Sequence, residues 1–465
     1  MKDVIAECFG SLTDFRKWDE KVFEVVCRTA AVTCRAVLEA LDEELARTRD
    51  KSLRMLGKRN RTIVTKFGAV AFRRRLYRDS SGKNRFLLDD CLGLVPGRRS
   101  TPCLEAVVCE LAAKMPYRQA ADVLEATSGG VLSHQMIHTA VKNTADAFDA
   151  HEKAKTKRLV EYGELPESRD KKVPHLFVEA DGTFINLQRE TKKKAEVKLL
   201  TSHEGWRRVG KRKWRLKDKT VVAGLSSSQE TWERFGASLL GTYHPEVLSH
   251  LVIGGDGASW IVKGTDVFGG SIYQLDRFHI KRSLLRSSGS WSFASKAYSM
   301  AVAGDIKGVS SLLESYAKDN PDRAEDLQKS AGYLKNNAGG LIDYRKRLEG
   351  DTSAMRGLGA IESNIDKVLA NRMKKRGMAW SLVGAHRMAK ILQMRAGGLL
   401  GSAIAPEVPS PSAPIRKALQ TVQDNFTLDP GAWLEARVPA LSGPHQSRRW
   451  VKTLREIAGT VPAGM

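Results

Sequence analysis

The decapeptide His175–Phe184, HLFVEADGTF, constrains the fold more than any other stretch of the chain. Leu176, Phe177 and Val178 lead into Glu179, Ala180, Asp181 and a glycine. An apolar run that closes in acid and glycine reads as a buried strand whose tip carries a functional group. A carboxylate in that setting is costly without a positive partner, and a divalent cation is the usual one. The plain alternative is an aspartate that caps a strand end.

Two further acids fit the same site. Asp256 sits in VIGGDGASW, again after an apolar run and again between glycines. Glu362 sits in the helical stretch GAIESNIDKVLANRMKKRGMAW. Phosphodiester transfer must activate a hydroxyl and stabilise a leaving alkoxide, neither easily charged at neutral pH. Two Mg²⁺ (or Mn²⁺) ions about 4 Å apart do both, and they take hard oxygen ligands. Asp181, Asp256 and Glu362 are therefore the expected catalytic and metal-binding residues. Glu179 on the same strand face, Asp366 one helical turn from Glu362, and Asp276 compete with them. Asp276 and His279, in DRFH, are expected to support the site.

The surrounding pattern suggests the frame. His175–Asn186, Lys194–His203 and Thr220–Leu225 read as three strands, Trp232–Leu240 as a helix, Ser249–Gly254 and Ser271–Leu275 as two more strands, and a helix follows from Phe278. That order is similar to a ribonuclease-H-like α/β sheet. A helical block from Trp291 to Leu348, broken at Pro321 and Gly339-Gly340, precedes a strong helix over Gly359–Met373. The expected division is a helix and small β region over 1–100, a DNA-binding region and linker over 101–172, a catalytic domain over 173–400 with a helical insertion at about 285–355, and a Pro-rich linker and tail over 401–465. Pro406, Pro409, Pro411 and Pro414 mark that linker, and short helices are expected at Arg416–Phe426 and Gln446–Ala458.

Upstream, Arg16–Arg47 reads as a long amphipathic helix and Thr62–Arg78 as a hairpin, with Arg85–Leu94 a third strand. Leu104–Phe148 turns helical, and within it YRQAADVLEATSGGVLSHQMIHT (Tyr117–Thr139) has a helix-turn-helix layout: Ala120, Val123 and Leu124 inside, Ser128-Gly129-Gly130 at the turn, Ser133 as a cap, Ile137 and Val141 packing inward. His134, Gln135 and His138 are left to reach bases, unless the segment is plain helical packing. Glu152–Lys172 reads as a polar linker.

Charge names the partner. Lys plus Arg number 76 against 53 Asp plus Glu, a formal +23, and such an excess points to a polyanion. Nucleic acid suits it better than an anionic membrane, because the cations cluster with tryptophans. Arg207–Lys219, RRVGKRKWRLKDK, holds eight Lys or Arg in 13 residues beside Trp206 and Trp214. Lys211, Arg212 and Lys213 suit a DNA backbone and Trp214 an unstacked base; a merely solvated hairpin is the alternative. Arg372, Lys374, Lys375 and Arg376 add positive charge after Glu362, and Arg73, Arg74 and Arg75 are either phosphate contacts or a solvated strand face. No apolar run approaches a membrane span. MKDVIAECFG lacks a signal-peptide layout, and the six cysteines form no CxxC, so buried thiols in a reducing cytoplasm are expected.

Taken together, EADG, GGDGASW, YQLDRFHI and AIESNIDKVLANRMKKRGMAWS, with YRQAADVL and LSHQMIH, resemble the ISLre-type family of bacterial insertion-sequence transposases, a family also carried under an uncharacterised-protein label. The resemblance spans roughly residues 10–400 and leaves the tail outside. It implies a DDE transposase with a ribonuclease-H-like domain, a helical insertion before the glutamate, and acids at Asp181, Asp256 and Glu362. Asp276 and His279 are similar to the C/DxxH element of Mutator-like transposases. Expected partners are the element's terminal inverted repeats, target DNA and further copies of the chain, at the bacterial nucleoid. A ribonuclease-H-like nuclease that cuts without joining, and a non-catalytic helix-turn-helix regulator, are the alternatives.

Overall fold

Apolar residues at helical spacing after Trp18 build α1 (Trp18–Thr48), whose Leu38, Leu41 and Leu45 are buried. In the computed structural model, which describes residues 18–128, 132–167, 170–353, 355–375, 377–403, 416 and 420, the chain divides after Arg99 into two units. In the first, α1 packs on a hairpin of β1 (Arg54–Thr65) and β2 (Gly68–Arg78) through Ile63, Val70 and Phe72. The expected third strand is only the two-residue β3 (Asn84–Arg85), and Leu87–Leu92 is a helix, α2. Its Leu88 and Cys91, three residues apart, both enter the same core, which a helix permits and a strand does not. Arg74 and Arg75 do not reach outward to phosphate. Arg75 pairs with Asp42 at 2.7 Å and Glu43 at 2.5 Å, and Asp89 takes Arg61 at 2.6 Å and Arg74 at 2.8 Å. Only Arg73 of the three is exposed.

The second unit spans Ser100–Ala405. Helices α3 (Pro102–Ala112), α4 (Tyr117–Thr127) and α5 (His134–Tyr162) open it. α5 starts at Ser133, whose hydroxyl accepts the Met136 N–H at 3.2 Å, as a Ser N-cap should. It then runs 29 residues, to Tyr162, and so takes in the first part of the Glu152–Lys172 stretch expected to be a linker. The reason is polar and lies inside the fold. Glu152 accepts from Lys390 Nζ and Gln393 Nε2 at 2.6 Å each, and Asp149 takes Arg234 Nη1 at 2.6 Å and His386 Nε2 at 3.0 Å. Glu152, the first residue of the expected linker, thus joins Asp149 as the acidic side of a largely buried network.

Six strands form the sheet: β4 (Leu176–Leu187), β5 (Lys194–His203), β8 (Thr220–Gly224), β9 (Leu251–Gly255), β10 (Ile272–Leu275) and β11 (Ala379–Trp380). Its order is β10-β9-β4-β5-β8, with β11 beside the far end of β4. β5 runs antiparallel to both β4 and β8, and β9 and β10 run parallel to β4. A separate hairpin, β6 (Trp206–Gly210) and β7 (Lys213–Leu216), interrupts it.

Period-two alternation gives each strand two faces. Leu176, Val178, Ala180, Leu200, Val222 and Ile253 bury one face under Trp232 and Phe235 of α6 (Ser228–Leu240). Phe177 and Val252 lie on the other, under Tyr344. After β10 come α7 (Arg277–Ser288), α8 (Trp291–Ala303), α9 (Ile306–Asp319) and α10 (Ala324–Asn336). These four helices share a core of Leu284, Ala297, Val309, Leu313, Leu327 and Leu334, the helical block expected from sequence. The Glu362 helix begins at Ile361 rather than Gly359. It passes from α11 (Ile361–Asn364) through a π-helical segment (Ile365–Ala370) into α12 (Asn371–Met373). α13 (Leu382–Ala396) then packs against β8, and Gln393 Oε1 accepts the Ala223 N–H at 3.0 Å. The Pro-rich stretch and the helices expected beyond it lie outside the described residues, apart from Arg416 and Gln420.

Candidate active site

Parallel pairing brings two of the three acids level. β4 and β9 pair in register from Leu176↔Leu251 to Glu179↔Gly254. Two residues further along each strand come Asp181 and Asp256, on the face of Phe177 and Val252. Glycine permits the approach: a Cβ on Gly255 would fall 3.2 Å from the Ala180 carbonyl oxygen and 2.6 Å from Ile261 Cγ2. Gly257, at φ +92°, then turns the chain in a conformation that side chains disfavour. Asp256 Oδ1 accepts the Ala258 N–H at 2.9 Å, and the Asp256 carbonyl accepts the Tyr333 hydroxyl at 2.7 Å, tying the strand end to α10.

Glu362 arrives through Glu179. Glu179 is buried, at 1% exposure. Its Oε2 accepts the backbone N–H of Gly359 at 2.9 Å and of Ile361 at 3.1 Å, and Oε1 pairs with His203 Nε2 at 3.1 Å. The rival acid on β4 is thus occupied in fixing the start of the next helix, while Glu362 stays exposed. The other rival on that helix, Asp366, is exposed and bonded to Lys375 Nζ at 2.8 Å and Asn371 Nδ2 at 3.3 Å.

Charge joins the three positions. Burial, opposed by the Gly182 N–H and reinforced by the charges of Asp256 and Glu362, pushes the Asp181 carboxyl up to about 6. His279 faces the same acids. Its Nδ1 bonds to Asp276 Oδ2 at 2.9 Å, and that bond, with the charges of Asp256 and Asp181, raises the imidazole above its usual range. Asp276 also caps α7, accepting the Phe278 N–H at 2.9 Å, and its own N–H donates to the Gly255 carbonyl at 2.8 Å. The DxxH pair is therefore anchored beside Asp256 by backbone and side chain together.

The donor set is carboxylate oxygen, which suits magnesium or manganese, and the repulsion felt by Asp181 is what a cation would relieve. Among the described residues, no three His, Cys, Asp or Glu side chains are already drawn into one metal-holding group. Beside Asp256 and His279 opens a cavity of about 530 Å³, lined also by Arg282, Arg286, Lys329, Ser330 and Tyr333. Arg282 and Arg286 lie one turn apart on α7 and are exposed. The sequence signal for them was available: two arginines at i, i+4 in RFHIKRSLLRSS, directly after the DxxH aspartate.

The residues expected at DNA separate into groups. His134, Gln135 and His138 are all exposed on the first turns of α5, and Ala120, Leu124, Ile137 and Val141 are buried beneath. The turn glycines lie outside the described residues. Lys211, Arg212 and Lys213 are exposed at the tip of the β6–β7 hairpin. Trp214 is 43% exposed, and the Arg356 guanidinium stands 4.4 Å over its ring. Arg372 is a correction. It is buried, its Nε donates to the Ala112 carbonyl at 2.6 Å, and its guanidinium lies 5.0 Å over the Trp380 ring. Lys374 and Lys375 are exposed, the latter paired with Asp366; Arg376 lies outside the described residues. Among the cysteines, Cys27, Cys91 and Cys109 are buried as expected, but Cys103 is exposed. Among the described residues no helix is long and apolar enough to cross a membrane.

A family model described as an uncharacterised protein family, UPF0236, matches residues 11–405. Among similar proteins, a UPF0236 protein in the vanSb 3′ region of Streptococcus gallolyticus is 26% identical over 408 residues, 84% of this chain and 86% of the relative. A UPF0236 protein of Caldanaerobacter subterraneus, whose name joins eleven locus designations, is 24% identical over 400 residues, 83% of this chain and 80% of the relative. A second from that organism is 24% identical over 405 residues, with the same coverage.

Proposed function

We propose that this chain, which belongs to the uncharacterised protein family UPF0236, is a metal-dependent DNA transposase of the ISLre type, acting through Asp181, Asp256 and Glu362. One observation carries the reading: burial, reinforced by the charges of Asp256 from the neighbouring strand end and Glu362 from the next helix, raises Asp181 to about 6. The strand order β10-β9-β4-β5-β8, with β5 antiparallel to both its neighbours and β9 and β10 parallel to β4, supports a ribonuclease-H-like frame. The relative whose name joins eleven locus designations supports mobility, since a gene that copies itself within a genome accumulates loci.

Two Mg²⁺ or Mn²⁺ ions held by Asp181, Asp256 and Glu362 would supply a nucleophilic hydroxyl at neutral pH and neutralise the leaving oxygen. The chain's own residues set up the rest. Glu179 fixes where Glu362 leaves the sheet. His279, oriented by Asp276, offsets the negative charge of Asp181 and Asp256. Arg282, Arg286 and Lys329 give the adjoining cavity the cations that phosphate requires. The hairpin tip, Lys211, Arg212 and Lys213, supplies non-specific grip on the backbone, and His134, Gln135 and His138 the base contacts. Water cuts at the element end, and the freed 3′-hydroxyl attacks target DNA.

The test is a strand-transfer assay with the gene's own flanking DNA, run in Mg²⁺ and Mn²⁺. Joined products absent from Asp181→Asn, Asp256→Asn and Glu362→Gln support the reading. Cutting without joining leaves a nuclease, and binding without either reaction leaves a regulator.

A further inference from the structure

A second cavity, of about 300 Å³, is lined by none of Asp181, Asp256 and Glu362. That volume is at the lower end of small-ligand sites. Its walls include Phe177, His203, Trp206 and Trp214, with Arg356 and the ion pair of Lys217 and Glu204 at 2.9 Å. His203 stacks on Phe177, centroids 5.4 Å apart and planes 23° from parallel, and stands edge-on to Trp206 at 6.2 Å. Arg356 lies over both tryptophans, 4.4 Å from the Trp214 ring and 5.4 Å from the Trp206 ring. His175, also in the wall, has a buried Nδ1 with no hydrogen-bond partner.

We infer that this cavity binds a single unstacked nucleobase of the DNA, an inference that rests on the DNA reading above. Flat aromatic walls reward any base through stacking. The tryptophans belong to the β6–β7 hairpin, which carries the exposed Arg207, Arg208, Lys211, Arg212 and Lys213, charge suited to the attached phosphates. Arg356 occupies the stacking position as a planar cation, so a base either stacks on it or takes its place. The unpartnered His175 nitrogen offers a polar edge.

The position gives binding a consequence at the acids. His203, in the cavity wall, bonds to Glu179, and Glu179 bonds to the N–H groups of Gly359 and Ile361. Arg356 sits in the same loop, a few residues before Glu362. A base in the cavity touches His203, and through it Glu179, which holds the start of the Glu362 helix.

The experiment uses the full chain and two duplexes of one sequence. In one, a 2-aminopurine lies opposite an abasic site and is free to leave the stack; in the other it is paired. The wild type binds the first about 5- to 100-fold tighter, the span expected from one stacked base, and quenches its fluorescence. Trp206→Ala with Trp214→Ala abolishes both preference and quenching, while Trp214→Phe keeps most of each. The half-exposed Trp214→Ala alone, checked for an unchanged melting temperature, guards against a misfolded double variant and loses most of the preference. Equal affinity of the wild type for both duplexes, or a preference unchanged in the tryptophan variants, overturns the base site and leaves DNA binding standing. Binding to neither duplex overturns both.

Discussion

The carboxylate of Glu179, in the middle strand of the sheet, accepts the backbone N–H of Ile361 at 3.1 Å, one residue before Glu362. An acid that by sequence competes as a metal ligand instead anchors the start of the helix that carries Glu362. Position within a strand decided between the two. Asp181 lies level with Asp256, whereas Glu179, two residues earlier, meets the incoming loop. Three partners, His203 and two amides, satisfy its charge away from water, as buried carboxylates require.

Glu179→Gln removes that charge and should loosen the Glu362 helix. A charged hydrogen bond contributes about 1.5–3 kcal/mol, so unfolding by urea should show a loss of that order. Cleavage should fall while binding to duplex DNA is retained. Cleavage at the wild-type rate would show that Glu362 finds its place without Glu179.

Asp181 makes a pH-dependent prediction. Its folded-state carboxyl titrates at about 6, above the usual 3.8. The favourable contribution is therefore fully present below about pH 4 and is lost as the pH rises through about 6, a cost of roughly 3 kcal/mol at pH 8. With chelator present, Asp181→Asn should be more stable than the wild type by about that amount at pH 8, and the gap should close toward pH 4. Adding Mg²⁺ at pH 8 should stabilise the wild type and not the variant. A gap independent of pH would show that burial and the neighbouring acids do not hold Asp181 above its usual range.

The hairpin tip predicts a salt dependence. If Lys211, Arg212 and Lys213 each touch a phosphate, replacing all three with alanine should lower the slope of log affinity against log salt by about 2.7, at roughly 0.9 per contact. Affinity should drop equally for every sequence. A salt titration that returns the wild-type slope would make the tip a solvated face.

His134, Gln135 and His138 predict the opposite pattern. Their triple alanine variant should lose discrimination between element ends and unrelated duplex, with little change in salt slope. Footprints on the ends that match the wild type would assign end recognition elsewhere.

Glu152→Ala tests the buried network. Lys390 is 1% exposed, and burial holds its ammonium below the usual range. Removing the paired carboxylate leaves that charge uncompensated, at about 3–5 kcal/mol. Urea unfolding should register the loss, and Glu152→Ala with Lys390→Met should recover most of it. A cost below about 1 kcal/mol would mean the network is not the tie between α5 and the sheet.

Local pattern determined the elements. Apolar runs closing in acid and glycine placed β4 and β9 within a residue or two, the helical spacing placed α1 and α4, and Ser133 marked the start of α5 by its capping chemistry. These signals act between residues a few positions apart, so one stretch of sequence contains them whole. Tertiary structure decided what each charge is for. Arg74, Arg75 and Arg372 look as free in sequence as Lys211, yet meet Asp89, Asp42 and the Ala112 carbonyl. Glu152 reads as linker until Lys390 and Gln393 reach it. Glu179 and Asp181 differ by two positions on one face, and only the register against β9 and the arrival of Ile361 separate a helix anchor from a candidate ligand. A buried charge takes its role from the partner that offsets its desolvation, and in each of these cases that partner comes from a distant part of the chain.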